Sequence, residues 1–202
     1  MRSGACILLT LLMVGCAGDI VKESQEREDQ ESALASRHND ALYAIDGWLL
    51  MGRIAYQAGG EGWTATLHWT QDQDLYNVRL IAPLGQGAYE LRGNDDRVLL
   101  MTANNELLSA TDPEKLLFDN MGWKVPLTGL RYWVRGVPEP DKEISNLVRD
   151  ENGRITDMQQ SGWRISFLRY TEGKVPELPE KIFMQNDRFQ LRLVIQDWKI
   201  AS

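Results

Sequence analysis

The best candidates for acid–base chemistry in this chain are one of its two histidines, His68, and a few aspartates. His68 stands near Asp72 and Asp74, and Asp95 and Asp96 form an adjacent acidic pair. A histidine held by a carboxylate is typical of general acid–base catalysis. However, His68 falls on the polar side of an alternating segment and the acids fall in turn segments, where a solvated surface is the default. An enzyme built on these residues stays an alternative.

Motifs for nucleophilic, metal-dependent or nucleotide-driven catalysis are missing from the sequence. It contains no Gly-x-Ser-x-Gly segment, no zinc-ligand spacing and no GxxxxGK[ST] phosphate loop. The pair Gly85 and Gly87 lacks a third glycine and precedes an alternating, strand-like segment. The net charge of −7, without a basic block interleaved with aromatic residues, argues against nucleic acid as a partner. We therefore expect no enzymatic activity, no metal and no cofactor.

The residue with the clearest chemical signature is Cys16. Arg2 followed by the apolar run 7–14 is typical of a secretory signal. The segment Met13-Val14-Gly15-Cys16 resembles the lipobox of bacterial lipoproteins, with Met where Leu is more usual. The resemblance implies cleavage before Cys16, diacylglycerol on its sulfur and an N-acyl chain, and Ala17 next to it favours the outer over the inner membrane. A plain secretory signal with an incidental cysteine is the alternative, and the apolar run is far too short to span a bilayer.

These signals divide the chain into three parts. Residues 1–15 are predicted to be a lipoprotein signal peptide, and residues 16–32 a lipidated N-terminus with a polar tether that is disordered or loosely helical. Once Cys6 has left with the signal and Cys16 carries lipid, the mature chain has no free thiol for catalysis. Residues 33–202 are expected to form one globular domain, since the sequence is 43% hydrophobic and 25% charged.

A leucine occupies the tip of the strongest hairpin signal, which spans residues 75–91. Two alternating segments flank a connection that contains Pro83, Leu84 and Gly85, and proline and glycine are typical turn residues. Turn tips are normally polar because loops run over the surface. Leu84 therefore either folds back beneath the domain or stays exposed to contact something apolar, such as a bilayer or a partner.

Alternating patterns on both sides of this hairpin predict about eleven strands. Helical periodicity and capping residues predict three helices, over residues 32–46, 113–121 and 127–135. So many strands can curl one sheet into a partly closed barrel. The sequence thus predicts a mainly β fold, a single antiparallel sheet forming an unclosed barrel, with the helices as a lid or plug.

The order and spacing of short motifs across residues 40–199 resemble the LolB family of outer-membrane lipoprotein receptors. The motifs are Gly47-Trp48, Gly52-Arg53-Ile54-Ala55-Tyr56, Trp69, Pro83-Leu84-Gly85, Pro126-Leu127, Leu130, Trp133, Gly136-Val137-Pro138, Gly153-Arg154, Gly162-Trp163, Leu178-Pro179 and Trp198. The resemblance implies an unclosed β-barrel with a helical lid around an apolar cavity. It also implies a receptor that takes acylated lipoproteins from a LolA-like periplasmic carrier and inserts them into the outer membrane, with Leu84 as the exposed loop leucine.

Strand parity suggests which side chains would line such a cavity. The candidates are Trp63, Leu67, Trp69, Val78, Leu80, Tyr89, Leu91 and Trp163 from strands, and Leu130 and Trp133 from the lid. Each of these could equally fill an ordinary core. The expected membrane-insertion loop is Pro83, Leu84 and Gly85, and the expected partners are the carrier, its acylated cargo and outer-membrane lipid, with the receptor itself a monomer. A passive lipid-anchored envelope scaffold is a further alternative, which would bind no cargo.

Overall fold

The computed structural model describes residues 17–94 and 96–201. The predicted signal peptide, the predicted acylation site Cys16 and Asp95 lie outside these residues. Within the described ranges, no helix combines the length and the apolar character that a membrane span requires.

Eleven antiparallel strands form one continuous sheet, which confirms the fold predicted from the alternating pattern. The strands are β1 (Gly47–Ala58), β2 (Glu61–Asp72), β3 (Leu75–Ile81), β4 (Ala88–Gly93), β5 (Val98–Met101), β6 (Leu107–Ala110), β7 (Ile144–Arg149), β8 (Ile155–Gln160), β9 (Trp163–Tyr170), β10 (Pro179–Gln185) and β11 (Phe189–Ile200). Their order across the sheet is β6-β5-β4-β3-β2-β1-β11-β10-β9-β8-β7. Among the described residues, β6 and β7 are the two edges and do not pair with each other, so the barrel is unclosed.

Strand β2 illustrates how the sheet separates an apolar interior from a polar exterior. Ala65, Leu67 and Trp69 are buried, whereas Thr66 and His68 between them are exposed. Because residues opposite each other in adjacent strands point to the same face, the pairing register extends the buried rows across β3 and β4. The inner face of the sheet is therefore apolar, as expected for an antiparallel sheet with one wet side.

Helix α1 (Ala17–Tyr43) begins earlier than the sequence pattern predicts. The predicted start at residue 32 followed from the first apolar stripe, which the preceding polar segment lacks. That segment is nevertheless rich in Glu, Gln, Lys and Arg, which are strong helix formers, and no glycine or proline interrupts residues 19–46. Residues 17–32 span roughly 24 Å at 1.5 Å per residue. The predicted tether is thus a helical spacer over most of its length.

The C-terminal end of α1 is fixed to the body of the domain by two arginines. The Arg149 guanidinium donates to Asn39 Oδ1 at 3.3 Å. Arg135 is buried, and its guanidinium donates to the carbonyl groups of Leu42 and Ile45 at the end of the helix. A cation at this position satisfies carbonyls that have no partner within the helix and complements the helix dipole. The C-terminal end of helix α1 is therefore part of the domain.

Two short helices, α2 (Pro113–Met121) and α3 (Leu127–Trp133), occupy the segment that joins the edge strands β6 and β7. Helix α2 begins and ends as predicted: the Asp112 carboxylate accepts the N–H of Lys115, and Gly122 ends the helix with φ 69°. Helix α3 ends two residues earlier than predicted, because the chain turns toward Gly136 at φ 84°. We refer to α2, α3 and the connection between them as the lid.

We expect Asp112→Ala to lower the free energy of unfolding by about 1 kcal/mol, the usual cost of losing a helix cap. The N–H of Lys115 would lose the acceptor that lies 2.9 Å away. Urea unfolding followed by circular dichroism measures the change. The control is Asp74→Ala, which alters an exposed aspartate in the turn between β2 and β3. Equal losses in the two variants would contradict a capping role for Asp112.

Candidate lipid-binding site

The sheet and the lid enclose an apolar cavity between them. Its lining consists of Ile54, Leu67, Trp69, Val78, Leu80, Tyr89, Leu91, Leu100, Leu117, Met121, Trp123, Val125, Leu127, Leu130, Leu191 and Leu193. Most of the side chains that parity assigns to acyl chains are in this lining, namely Leu67, Trp69, Val78, Leu80, Tyr89, Leu91 and Leu130. Alternate strand residues supply one wall and the lid supplies the other.

Three tryptophans of the predicted set lie outside this lining. Trp63 is half-buried and stacks on Trp123, with the ring centroids 4.2 Å apart. Trp133 is fully buried and donates to Gln160 Oε1 at 2.8 Å. Trp163 is buried near a polar groove that Gln160 also lines. Periodicity identifies the inner face of an element but not the position along that face, so it cannot separate cavity lining from packed core.

Other residues of the lining show an apolar pattern in the sequence, but strand parity alone does not assign them to a cavity. Met121 lies on the apolar stripe of α2, and Leu191 and Leu193 share one face of β11, but neither pattern indicates a cavity. Trp123 and Val125 stand in the connection between the lid helices, where no period exists. Only the three-dimensional arrangement brings them to the site.

The cavity is nearly filled in this conformation. Its free volume is about 30 Å³, room for two or three water molecules at the roughly 10–15 Å³ that each one needs. An acyl chain needs many times that volume. Because paired strands cannot separate without losing backbone hydrogen bonds, the lid is the wall of the cavity that can move more easily.

Aromatic rings close the lid against the sheet. Trp123 is 5% exposed, and its ring lies 5.4 Å from that of Tyr56 as well as stacking on Trp63. The Tyr56 hydroxyl donates to the carbonyl of Gly122 at 3.4 Å. Burial raises the pKa of Tyr56, so the hydroxyl stays a neutral donor. We call Tyr56, Trp63 and Trp123 the aromatic seam.

The loop between β3 and β4 holds Leu84 away from the domain. Leu84 is 97% exposed, so the alternative in which it folds beneath the domain is wrong. The loop is a 3₁₀ turn over Pro83–Gly85 in which Leu84 has a φ of 57°. The N–H of Ala82 donates to the carbonyl of Gly87 at 3.0 Å and closes the base of the loop. The backbone geometry of this turn therefore sets the exposed position of Leu84.

A recess of about 600 Å³ connects this loop to the aromatic seam. Trp63 and Met121 line it from the seam and the lid, and Pro83 and Gln86 line it from the loop. Tyr89 lines both the recess and the apolar cavity. The recess therefore lies between the cavity and the exposed leucine.

The candidate acid–base residues do not form a site in the described part of the chain. His68, Asp72, Asp74 and Asp96 are exposed, and Asp95 is outside the described residues. In residues 17–94 and 96–201, no group of three or more His, Cys, Asp or Glu side chains is placed to hold a metal ion. Among the described residues, none of these candidates lines the apolar cavity.

Solved structures of distant proteins share this fold. A LolA superfamily protein from Nitrosomonas europaea is 8% identical, with a TM-score of 0.53 over 85% of this chain and 93% of that chain. A DUF1329 family protein from Desulfovibrio piger is 7% identical, with a TM-score of 0.56 over 86% of this chain and 92% of that chain. At such low identities these similarities describe the fold alone.

Sequence comparison is more specific. The family model described as "Outer membrane lipoprotein LolB" matches residues 46–198. The outer-membrane lipoprotein LolB of Pseudomonas syringae pv. syringae is 38% identical over 191 residues, which cover 95% of this chain and 92% of that protein. The LolB of Nitrosococcus oceani is 37% identical over 200 residues, 99% of this chain and 98% of that protein. The resemblance inferred from the sequence motifs is thus confirmed, and the chain belongs to the family of the outer-membrane lipoprotein LolB.

Proposed function

We propose that this protein accepts acylated lipoproteins from a periplasmic carrier and inserts them into the outer membrane. In this proposal the acyl chains occupy the space beneath the lid, and the loop of Pro83, Leu84 and Gly85 contacts the bilayer during release. The observation that carries the proposal is the arrangement of three features in a row. An apolar cavity adjoins a recess, and the recess adjoins a loop that holds a 97% exposed leucine.

The physical chemistry of the cargo supports this arrangement. An acylated lipoprotein that crosses water must keep its methylenes dry, at about 0.8 kcal/mol each. Each methylene that is better buried in the acceptor than in the donor favours transfer by roughly fourfold. The sequence contains no nucleotide-binding loop. Transfer would therefore follow differences in affinity and would need no hydrolysis.

The family assignment confirms the prediction that the chain is not an enzyme. It also confirms the prediction of an outer-membrane lipoprotein. The family assignment and the fold shared with a LolA superfamily protein support a lipoprotein-sorting partner, and we propose a LolA-like carrier as the donor. We propose that the receptor acts as a monomer and is anchored by diacylglycerol and an N-acyl chain on Cys16.

A stepwise transfer assay tests the proposal. A labelled lipoprotein in complex with its purified carrier is mixed first with this protein and then with liposomes, and each transfer is scored separately. The proposal predicts that the label moves to this protein and then to the liposomes. A passive envelope scaffold would acquire no label from the carrier, and that outcome would contradict the proposal.

Acylation of Cys16 is expected to be dispensable for cargo uptake. Cys16→Ala removes the acceptor of the lipid and should release the domain from the membrane. Residues 17–32 form a helical spacer between this position and the rest of the domain. Uptake from the carrier should stay within about twofold of wild type, a change that corresponds to less than 0.5 kcal/mol, while delivery to the outer membrane in cells should fall. A folded variant that takes up no cargo would contradict this separation of anchor and cavity.

A further inference from the structure

A second recess adjoins the apolar cavity at the side of α3. Its volume is about 300 Å³, and unlike the cavity its lining includes many polar side chains, among them Gln71, Arg131, Tyr132 and Glu139. Trp69 and Leu127 line both spaces. We call this space the polar recess.

Helix α3 separates the polar recess from the cavity. Leu127 and Leu130 are buried and line the cavity. Thr128, Arg131 and Tyr132 line the polar recess. Residues three and four apart lie on one face of a helix, so this short helix presents an apolar face to one space and a polar face to the other.

Trp69, on strand β2, lies between the cavity and the polar recess and lines both. Its ring lines the cavity, and its indole N–H donates to Gln71 Oε1 at 3.1 Å. Gln71 is only 3% exposed, and its Nε2 donates to the carbonyl of Gln73 at 2.8 Å. A buried amide held by two hydrogen bonds is a fixed polar group, and here it lies at the point where the apolar lining ends.

Carboxylates outnumber cations around the polar recess. Glu139 and Asp141 line it, and Arg131 is the cation among the lining residues. The Glu139 carboxylate lies against the backbone of α3, since a Cβ on Gly129 would come within 3.3 Å of Glu139 Oε2. Glu114 adds a third carboxylate nearby, which accepts from the Thr128 hydroxyl at 3.4 Å. Burial, together with Asp112 and Glu139, raises the pKa of Glu114.

We propose that the polar recess binds the uncharged head of the acylated cargo and that its carboxylates exclude the phosphate of membrane phospholipids. The head in question is the glyceryl ester and the first peptide groups of the acylated cysteine. This inference rests on the proposed function, because a head binds beside the cavity only if the acyl chains lie within it.

The lining matches such a head in its hydrogen-bonding groups. Peptide units carry both a donor and an acceptor, and esters carry acceptors. Arg131 and Tyr132 carry N–H and O–H groups, with Arg131 donating to the Tyr132 hydroxyl at 3.1 Å, and the Glu139 carboxylate is an acceptor. A phosphodiester carries a negative charge and only acceptors, so the carboxylates repel it. A receptor anchored in a phospholipid membrane needs to distinguish its cargo from phospholipids by their heads, since the acyl chains of phospholipids would fit the same cavity.

Competition between two lipids that differ only in their heads tests the proposal. One is dihexanoyl-phosphatidylglycerol, and the other is an N-acetylated S-(dihexanoylglyceryl)-cysteine amide, which has no net charge. Both are kept below their critical micelle concentrations and titrated against the full-length protein in a non-ionic detergent, with tryptophan fluorescence as the readout. The cost of opening the lid is common to both lipids and cancels in the ratio of their dissociation constants.

The wild-type protein should prefer the uncharged lipid. Glu139→Gln should reduce that preference by about threefold to fivefold through tighter binding of phosphatidylglycerol, the range expected for one partly solvated like-charge contact. Glu139→Lys should reduce it further. The matched control is Glu143→Gln, which alters an exposed carboxylate that does not line the recess and should leave the ratio unchanged.

Two results would overturn the proposal, and they have different meanings. If the uncharged lipid binds but the Glu139 variants keep the wild-type ratio, the head lies elsewhere while the proposed function stands. If neither lipid binds to the wild-type protein, the cavity holds no acyl chains, and the proposed function fails together with this inference.

Discussion

Leu84→Glu is expected to leave folding and cargo uptake intact and to slow insertion into liposomes by at least about tenfold. Burial of one leucine in hydrocarbon contributes about 1.5–3 kcal/mol, or one to two decades of affinity. This is too little to anchor a protein but enough to bring the recess briefly against the bilayer. A carboxylate resists burial in lipid, so the variant loses that contact. Because Leu84 is 97% exposed, the substitution removes no packing.

The controls separate the position of the side chain from its charge and its backbone conformation. Leu84→Met should be tolerated because it keeps an apolar side chain without a branch at Cβ at a φ of 57°, where β-branched residues are strained. Val175→Glu alters an equally exposed residue in the connection between β9 and β10, at the other end of the sheet, and should insert cargo normally. Normal delivery by Leu84→Glu, in an assay that scores uptake separately, would contradict a role for this loop at the membrane.

The sheet could be predicted because its sequence signal is local and repetitive. In β2, the alternation of Ala65, Leu67 and Trp69 with polar residues fixes which face is buried, and pairing carries that choice to the adjacent strands. The helix ends of the lid could be predicted for a similar reason, since Asp112 and Gly122 act within one helical turn. Such signals need no knowledge of distant contacts.

The extent of α1 could not be predicted from amphipathic periodicity. The segment before residue 32 has no apolar stripe to mark it. Intrinsic propensity was the only available signal, and Glu-rich and Gln-rich composition is common to helices and to disordered tethers. The observed helix is the conformation that the intrinsic propensity of these residues favours.

The strand residues that parity selects mostly line the apolar cavity, whereas several lid residues in the lining were not selected, and binding of acyl chains by either group stays a prediction. Val78 and Leu80 line the cavity because parity suffices on a regular strand. Trp133 has an inward-facing position on α3, but its indole N–H bonds to Gln160, and the ring packs in the core. Trp123, which closes the lid, lies between two helices where no periodicity exists. The role of such residues depends on contacts between segments that are distant in the sequence, and a local sequence pattern does not predict those contacts.

Trp123→Ala should destabilise the protein and yet accelerate the uptake of an apolar ligand. Truncation of a buried tryptophan lowers the free energy of unfolding by about 3–5 kcal/mol. The same change removes the ring contacts with Trp63 and Tyr56 that hold the lid closed. Aromatic pairs contribute about 0.5–1.5 kcal/mol each beyond their buried area. Their loss shifts the lid toward open conformations, and stopped-flow fluorescence with an apolar fluorophore should show uptake about tenfold faster than wild type.

The matched control is a tryptophan of the sheet, on strand β11. Trp198 is buried, its ring lies 5.5 Å from that of Trp48, and its indole N–H donates to the carbonyl of Pro179 at 2.9 Å. Trp198→Ala should lower stability by a similar amount but leave the rate of uptake unchanged, because none of these contacts involves the lid. Equal acceleration in both variants would mean that general loosening admits the ligand. Slower uptake in Trp123→Ala would mean that the seam forms part of the entrance and that a different segment opens.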